Sequence, residues 1–438
     1  MTESLTQRDQ KCIWHPYTPI SAQSAGPIAI VKGKGAWLYD ENGKKYLDVI
    51  SSWWVNIHGH AHPYIAGKIA AQLHTLEQVI FAGFTHEPAI TLAERILELL
   101  PGEFSRVFFS DDGSTAVEVA LKMALQYWYN QGVKKTRILA FQHAYHGDTF
   151  GAMAASSRSI FTRPFDPLLF EVRRIDPPLP GKESDALAQL EYEIKHHRDT
   201  LAAFIFEPLV LGAGGMLMYD AEPLDNMLLL CRQNDIVTIA DEVMTGFGRT
   251  GTLFAIQRLQ QKPDLICLSK GITGGFMPLG LTACSEKIFH AFRSSDKSHT
   301  FFHGHSYTAN PLACAAAGAS LDLCAEPSFN KNLKRISHKH SVFSAQLARH
   351  PLAEHVRTTG TILAFDLKSP EGTSYLNPMR DRIYYFFMEQ GILIRPLGNT
   401  IYLMPPYCIT DEELDTVYNA IMGFLNEHFH RNEFYTDN

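Results

Sequence analysis

Apolar runs of strand length alternate with segments of helical spacing through the middle of the chain. Runs of about four to eight apolar residues are typical of buried parallel strands, and apolar positions three and four apart indicate the helices that cover them. The predicted helices are Thr115–Tyr129 and Leu224–Gln233, and the predicted strands are Val107–Phe109, Ile138–Phe141, Ala203–Phe206, Ile236–Ala240, Leu265–Leu268 and Leu281–Cys284. This alternation predicts an α/β fold with a mostly parallel central sheet.

The two ends of the chain follow a different pattern. Residues 28–50 alternate apolar and polar positions around an Asn42-Gly43 pair, which favours a tight turn between antiparallel strands. Beyond residue 320, helical segments precede the strand-like runs Ile362–Asp366 and Ile392–Met404. We therefore predict a large domain over 61–325 and a smaller α+β domain built from both ends, 1–60 and 326–438.

Composition and charge narrow the class of protein. The 438 residues are 45% hydrophobic and 19% charged, as in a packed globular protein. The 39 Lys and Arg against 46 Asp and Glu give a net charge of −7 with no basic block, so a nucleic-acid partner is not expected. The first residues lack an apolar leader, and no run approaches the ~18 apolar residues of a membrane span. We expect a cytoplasmic protein without membrane contact.

The seven cysteines carry little functional signal. They are scattered, and none follows a C-x-x-C spacing. This distribution favours reduced packing residues over disulfides or a zinc site. His58, His60 and His62 are spaced like metal ligands, but no convincing Cys or carboxylate partners accompany them, so loop packing is favoured and no metal is predicted.

Charged residues follow three of the predicted strands directly: Glu207, the pair Asp241-Glu242, and Lys270. Ligands of open α/β sheets bind beyond the carboxyl ends of the strands, so these side chains mark a candidate site. A single charged strand end more often means only that the chain has reached water. Three such ends together favour a site.

Lys270 is the best candidate nucleophile. A lysine at a partly dry strand end loses its proton more easily, which lets it attack an aldehyde and carry a Schiff base. It precedes a glycine-containing turn, residues 271–275, that lets a bulky group approach the backbone. The competing interpretation is an ion pair with a neighbouring acid.

Two further segments on the same edge suggest what the ligand is. Gly113, Ser114 and Thr115 open a helix, with a capping-box pattern from Thr115 to Glu118, and helix starts bind phosphate through free N–H groups. Tyr145 and His146 follow another strand and offer a stacking surface, or simply cap the core. Phosphate donors, a stacking ring, an acid for a pyridine nitrogen and a lysine together match pyridoxal phosphate.

Five segments resemble class III pyridoxal-phosphate aminotransferases: GAWLYDENGKKYLD at 35–48, SSWWVNIHGHAHP at 51–63, AYHGDTFGA at 144–152, IADEVMTGFGRTG at 239–251 and LSKGITGG at 268–275. The resemblance implies the fold type I architecture of pyridoxal-phosphate transferases. It also implies a homodimer whose active sites lie at the subunit interface.

The resemblance assigns roles to individual residues. It places Lys270 in the internal aldimine, Asp241 at the pyridine nitrogen, Tyr145 on the ring face and residues 113–115 at the phosphate. It further implies that Ser306 reaches the phosphate of the partner subunit's cofactor, although His305-Ser306 stands where a Pro-Thr pair is expected.

The resemblance also implies a substrate pocket, lined by Tyr17, Trp53, Tyr145 and Arg395. Tyr17 counts among the catalytic residues, and Arg395 would pair with a carboxylate in a bidentate manner. Simpler explanations stay open for three residues outside the cofactor set. Trp53 and its neighbour are equally consistent with domain packing, Arg395 with a salt bridge to an acid, and Arg249 with either orienting the site or an ion pair.

Four segments are similar to the family members that act in biotin biosynthesis: WHPYT at 14–18, the Trp53-Trp54 pair, ALQYW at 124–128 and IRPLGNTIYLMPP at 394–406. They imply ping-pong transamination through pyridoxamine phosphate, converting 8-amino-7-oxononanoate to 7,8-diaminononanoate with S-adenosylmethionine as amino donor. Lysine stays open as the donor. The alternatives are another diamine or ω-amino acid aminotransferase of the family, a lyase or decarboxylase using the same cofactor, and a catalytically silent regulator.

Overall fold

Strands and helices alternate through the middle of the chain, as the apolar pattern predicts. The structure is a computed structural model, which describes residues 3–20, 26–370 and 372–430, without the side chains of 429 and 430. The strands in the described ranges are β1 (Ile30–Lys34), β2 (Trp37–Asp40), β3 (Lys45–Asp48), β4 (Phe104–Ser110), β5 (Arg137–Phe141), β6 (Val172–Ile175), β7 (Leu201–Phe206), β8 (Val210–Leu211), β9 (Leu217–Met218), β10 (Val237–Asp241), β11 (Leu265–Leu268), β12 (Gly280–Ser285), β13 (Ala353–Thr359), β14 (Ile362–Leu367), β15 (Ile392–Leu393) and β16 (Thr400–Leu403).

The helices cover the sheets and connect the strands. In the same ranges they are α1 (Leu5–Asp9), α2 (Ser51–Trp54), α3 (Pro63–Leu73), α4 (Glu87–Leu99), α5 (Gly113–Asn130), α6 (Phe150–Ala155), α7 (Glu183–His197), α8 (Ala221–Gln233), α9 (Glu286–His290), α10 (Pro311–Ala325), α11 (Pro327–Leu347), α12 (Met379–Glu389) and α13 (Asp411–His430). No helix of the described residues is long and apolar enough to cross a membrane.

A seven-stranded sheet forms the centre of the molecule, in the order β4-β12-β11-β10-β7-β5-β6. β12 runs antiparallel to both of its neighbours, and the remaining pairs are parallel. The predicted α/β fold with a mostly parallel central sheet is therefore confirmed. The apolar pattern does not predict β6, because Arg173 and Arg174 interrupt its apolar run.

The strands at the middle of this sheet are buried on both faces. In β7, Phe204 and Phe206 pack into one hydrophobic cluster, whereas Ala203 and Ile205 pack into the other. Successive side chains of a strand point to opposite faces, so a continuous apolar run satisfies both clusters at once. In β7, polar residues begin only where the strand ends, at the edge of the sheet, with Glu207.

The two ends of the chain meet in a second, four-stranded sheet, in the order β1-β2-β3-β15. The predicted antiparallel turn at Asn42-Gly43 joins β2 to β3, and Gly43 adopts a φ of +83°. The Asp40 carboxylate accepts the N–H groups of Asn42 and Lys44, each at 2.9 Å, which closes the turn. The domain boundaries near residues 60 and 325 stay a prediction.

The predicted strand Ile392–Met404 is wrong as a single element. The chain forms two short strands there, β15 beside β3 and β16 in a separate sheet with β14 and β13. Pro396 cannot donate to a ladder, and Gly398 adopts a φ of +64°, so the extended run breaks between them. Arg395 therefore lies between the two strands, whereas Tyr402 lies within β16.

Candidate active site

A cavity of about 660 Å³ opens at the carboxyl ends of the central strands. Its lining includes five residues that the sequence predicts for a cofactor: Gly113, Ser114, Tyr145, Asp241 and Lys270. They come from four strands of the central sheet: Gly113 and Ser114 open the helix after β4, and the other three lie at the ends of β5, β10 and β11. The sheet therefore brings the five together at one edge.

Lys270 opens a short 3-10 turn, Lys270–Thr273, directly after β11. Its φ is +48°, a left-handed conformation that L residues adopt rarely. Its Nζ lies 4.9 Å from the ring centroid of Trp54. Burial lowers the pKa of the Lys270 amine, while Asp241 and Glu207 act in the opposite direction. The amine is therefore closer to the neutral, nucleophilic form than an exposed lysine.

Asp241 faces the cavity and is held by two donors. Its Oδ2 lies 2.7 Å from Nδ1 of His146, and its Oδ1 accepts the N–H of Val243 at 3.1 Å. His146 is buried, and its Nε2 has no hydrogen-bond partner among the described residues. The sequence points to His146 only as an aromatic neighbour of Tyr145. Its position after a buried strand is the signal that places it beside Asp241.

Glu207 lines the same cavity and organises the loops around it. One of its oxygens accepts the N–H of Tyr145 at 3.0 Å, and the other accepts the N–H of Gly212 at 2.9 Å. Burial raises the pKa of Glu207 to about 7, opposed mainly by His146. The acid therefore fixes the backbone of Tyr145, the residue predicted to stack on the cofactor ring. Burial also raises the pKa of the Tyr145 hydroxyl.

Glu242 lies outside the cavity lining, although it follows Asp241 in sequence. It is fully buried and accepts the N–H groups of Ala255 and Ile256, at 2.8 and 2.7 Å. The Thr245 hydroxyl donates to it at 3.1 Å, and burial raises the Glu242 pKa to about 7. This acid ties a loop to the end of β10.

The predicted capping box from Thr115 to Glu118 is wrong. Helix α5 begins at Gly113, with Asp112 as its N-cap, and the reciprocal box joins Asp112 to Thr115. The Thr115 N–H donates to the Asp112 carboxylate at 2.7 Å, and its hydroxyl donates to Asp111 at 2.8 Å. Glu118 instead accepts from the segment that starts α6, including the Thr149 hydroxyl at 2.6 Å.

This cap changes which groups are free to hold a phosphate. Thr115 lies outside the cavity lining and uses both its N–H and its hydroxyl in the cap, so the geometry favours Gly113 and Ser114 over Thr115. A Cβ on Gly113 would come within 2.5 Å of Val243 Cγ1, which explains the glycine. The N–H groups at the start of an 18-residue helix face the cavity with the positive end of its dipole.

The residues predicted for the substrate pocket cluster beside this cavity. The Tyr17 ring lies 5.5 Å from that of Trp53, and the guanidinium carbon of Arg395 lies 4.9 Å from the Trp53 ring centroid. The Tyr17 hydroxyl donates to Asp148, which lines the cavity, at 2.5 Å. Burial raises the Tyr17 pKa to about 12. None of the described carboxylates forms a salt bridge with Arg395, so the geometry does not favour an ion pair there.

The two adjacent tryptophans have different surroundings. Trp53 is 41% exposed, whereas Trp54 is 5% exposed and lines the cavity. Trp54 Nε1 donates to the Tyr402 hydroxyl at 2.9 Å. The structure therefore separates an exposed tryptophan, Trp53, from a buried one, Trp54, that lines the cavity near Lys270.

Ser306 lies outside the cavity of its own chain and is exposed. Its carbonyl accepts from the Gln78 side chain at 2.8 Å, and the neighbouring His305 Nε2 lies 3.8 Å from Asp111. The role implied for Ser306 involves a second subunit, so it stays a prediction.

Arg249 and the clustered histidines make contacts within the protein. Arg249 is buried, donates to the Pro405 carbonyl at 2.9 Å and pairs with no described acid. His60 lies 2.8 Å from Asp48, and His58 contacts Ser320. No group of His, Cys, Asp or Glu suited to a metal ion occurs within the described ranges.

The class-III aminotransferase family model matches residues 20–425, and the chain belongs to this family. It is 49% identical over 423 residues to the adenosylmethionine-8-amino-7-oxononanoate aminotransferase of Synechococcus elongatus, covering 95% of this chain and 98% of that protein. The enzyme of the same name from Geobacter sulfurreducens is 38% identical, over 96% of this chain and 97% of its own length.

Solved structures similar to this chain are also aminotransferases. The adenosylmethionine-8-amino-7-oxononanoate aminotransferase of Methanocaldococcus jannaschii superposes with a TM-score of 0.90 at 34% identity, covering 96% of this chain and 98% of that one. A pyridoxal-phosphate-bound amine transaminase from an uncultivated Pseudomonas species has a TM-score of 0.89 at 32% identity, covering 95% and 98%. The protein is therefore a pyridoxal-phosphate-dependent aminotransferase with the fold of these enzymes.

Proposed function

We propose that the protein transfers an amino group to 8-amino-7-oxononanoate, giving 7,8-diaminononanoate in biotin biosynthesis, with S-adenosylmethionine as donor. The relatives that share nearly its whole length are named for this reaction. The observation that carries the proposal is the convergence of Lys270 and Asp241 in one cavity, with Arg395 and Trp53 packed together next to it.

The cavity fits pyridoxal phosphate at both ends of the cofactor. Asp241, fixed by His146 and Val243, would pair with the protonated ring nitrogen. The backbone N–H groups of Gly113 and Ser114 would hold the phosphate. When bound, the cofactor supplies an electron sink for the pair released as a substrate C–H bond breaks.

Lys270 would anchor the cofactor through Nζ and then move the proton. Its lowered pKa favours the neutral amine that nucleophilic attack requires. With a donor amine in the site, the same Nζ would take up the proton of the donor carbon and release it again. Tyr145, held by Glu207, would cover the ring face and orient the bond that breaks.

Substrate selection would fall to the pocket beside the cavity. Arg395 offers a planar fork that matches a carboxylate, and the structure pairs it with no described acid that would compete. Trp53 offers an apolar wall for the aliphatic chain of the acceptor, with Tyr17 packed edge-on against it. We also propose that the enzyme is a homodimer in which Ser306 reaches the partner subunit's phosphate.

Borohydride reduction followed by peptide mapping tests the cofactor assignment. We expect a reduced pyridoxyl label on Lys270 in the wild type and no label at this position in Lys270→Ala, which should also lack transamination. A label on another lysine, or wild-type turnover by Lys270→Ala, would contradict the assignment. Light scattering tests the dimer.

A donor screen with 8-amino-7-oxononanoate as acceptor, analysed by mass spectrometry, tests the substrates. We expect 7,8-diaminononanoate with S-adenosylmethionine, and the same screen compares lysine. A second candidate is a broader amine transaminase, because such an enzyme shares this fold at 32% identity. Transfer from simple amines with no use of S-adenosylmethionine or lysine would favour that alternative.

A further inference from the structure

Lys270 is held in an unfavourable backbone conformation. Its φ of +48° lies in the left-handed region, which is unfavourable for a non-glycine residue. Such a conformation persists only when neighbouring groups fix it. The turn Lys270–Thr273 must therefore be held by its neighbours.

Two hydroxyls within the same segment secure the ends of this turn. Ser269 donates to the Leu279 carbonyl at 2.7 Å, and Thr273 donates to the Met277 carbonyl at 2.6 Å. Both contacts join residues close in sequence. They tie the segment to itself and do not set its position against the rest of the protein.

A third hydroxyl comes from a different element. Ser320 lies on α10, is fully buried, and donates through Oγ to the carbonyl of Gly271 at 3.2 Å. Gly271 is the residue that follows Lys270. Ser320 therefore connects the lysine's turn to a 15-residue helix outside it.

The imidazole of His58 contacts the Ser320 hydroxyl. Its Nε2 lies 3.0 Å from Ser320 Oγ. Because the single hydroxyl proton of Ser320 goes to Gly271, the hydroxyl must accept from His58, so the proton of His58 sits on Nε2. Burial lowers the His58 pKa to about 3, which keeps the ring neutral. The ring also packs on the turn, since a Cβ on Gly274 would lie 2.9 Å from His58 Cδ2.

We propose that Ser320 and His58 are positioning residues that fix the backbone of Lys270, acting through the carbonyl of Gly271. This inference rests on the proposed role of Lys270. Neither side chain lines the cavity, so neither is expected to touch the cofactor or a substrate. Their effect passes through the orientation of the lysine.

The test compares two buried hydroxyls in the holoenzyme. Ser320→Ala removes the contact to Gly271, and Thr282→Val is the matched control. Thr282 lies on β12, is equally buried and donates to the Ala116 carbonyl at 2.8 Å, which is not part of the turn. The readouts are the pH midpoint of the visible absorbance of bound cofactor, the single-turnover rate with the amino donor, the KM and the melting temperature.

We expect both variants to lower the melting temperature, and only Ser320→Ala to move the absorbance midpoint. Its single-turnover rate should fall about tenfold at little change in KM, because small displacements of a reacting group cost large factors in rate. His58→Phe keeps a ring but removes the donor and should have a smaller effect. The double variant should be no worse than Ser320→Ala, since the two residues act in series.

The inference is overturned if Ser320→Ala matches Thr282→Val in both absorbance midpoint and rate. If Ser320→Ala does not fold, Ser320→Cys keeps the size with a weaker donor and gives the same comparison. Borohydride mapping of the wild type distinguishes a failure of the proposed function from a failure of this inference. A wild type without label on Lys270 contradicts the proposed function, whereas a labelled wild type with a silent Ser320→Ala contradicts only this inference.

Discussion

Asp241 and Glu242 are adjacent carboxylates at the end of one strand, yet they have different surroundings. Asp241 lines the cavity and is bonded to His146, whereas Glu242 lies outside the lining and accepts two backbone N–H groups from residues 255 and 256. Consecutive residues at a strand end point to opposite sides. One carboxylate therefore faces the cavity and the next one holds a loop.

Glu207 combines both tasks on the neighbouring strand. Ala240 pairs with Phe206, so the residues that follow them, Asp241 and Glu207, lie side by side. Glu207 lines the cavity like Asp241, but accepts two backbone N–H groups like Glu242. The three acids thus range from one that lines the cavity to one that only supports a loop. A charged residue at a strand end does not by itself distinguish these two arrangements.

Among substitutions of the three acids, Asp241→Asn should have the largest effect on activity. Loss of the anion opposite the ring nitrogen is expected to lower kcat/KM on the order of 10³-fold, because a preorganised electrostatic contact is lost. The melting temperature should stay close to that of the wild type. Single-turnover kinetics and thermal unfolding measure both. If Glu242→Gln lowers the activity of folded enzyme as much as Asp241→Asn, the different roles of these two acids are contradicted.

Arg395→Met extends the comparison to the substrate pocket. Removing a charge-assisted pair with a carboxylate should raise the KM for 8-amino-7-oxononanoate about 30-fold, with a small change in kcat. Arg395→Lys keeps the charge but not the planar fork and should lie between. Steady-state kinetics with both variants measures the effect. An unchanged KM in Arg395→Met would contradict carboxylate recognition by this residue.

Glu207→Gln should give an intermediate effect. An amide can accept through its oxygen but not through its nitrogen, so one of the two N–H groups, on Tyr145 or Gly212, loses its acceptor. We expect a rate reduction of about tenfold, as for a small displacement of a positioned group. The circular dichroism of the cofactor band should change with the orientation of the ring. An unaltered band would show that Glu207 does not position Tyr145.

Glu242→Gln should have the smallest effect on activity and a clear effect on stability. A glutamine amide accepts only through its oxygen, so one of the two buried N–H groups, on Ala255 or Ile256, loses its acceptor, which costs about 2 kcal/mol. The remaining folded enzyme should turn over near the wild-type rate. Thermal unfolding, together with activity per folded molecule, distinguishes this outcome from a role in the cavity.

The stability of Glu242→Gln should also depend on pH differently from that of the wild type. Burial raises the Glu242 pKa to about 7 from 4.5, so the folded state binds this proton more tightly than the unfolded state. The stability it contributes is complete below about pH 4.5 and is lost as the pH rises to about 7. The melting temperature of Glu242→Gln should therefore fall less steeply across this window than that of the wild type. Parallel curves would contradict the raised pKa.

Much of the candidate site follows from local pattern. Lys270, Asp241 and Tyr145 each lie within four residues of the end of a buried apolar run. The geometry of a parallel sheet brings such positions together. The capping box differs from the predicted one because Asp112, three residues before Thr115, offers the start of the helix a carboxylate acceptor. The strand Ile392–Met404 was predicted as one element because its apolar pattern continues across the break at Pro396 and Gly398.

The parallel sheet, the edge at which a ligand is expected and the residue types at that edge follow from the sequence alone, because these depend on periodicity and on the order of the strands. Three features depend on tertiary contacts: Glu242 lies outside the cavity, His146 holds Asp241, and Ser320 and His58 reach the turn of Lys270. These contacts join residues far apart in the chain. Their partners are set by the direction of each side chain and the packing of separate elements, which no local pattern encodes.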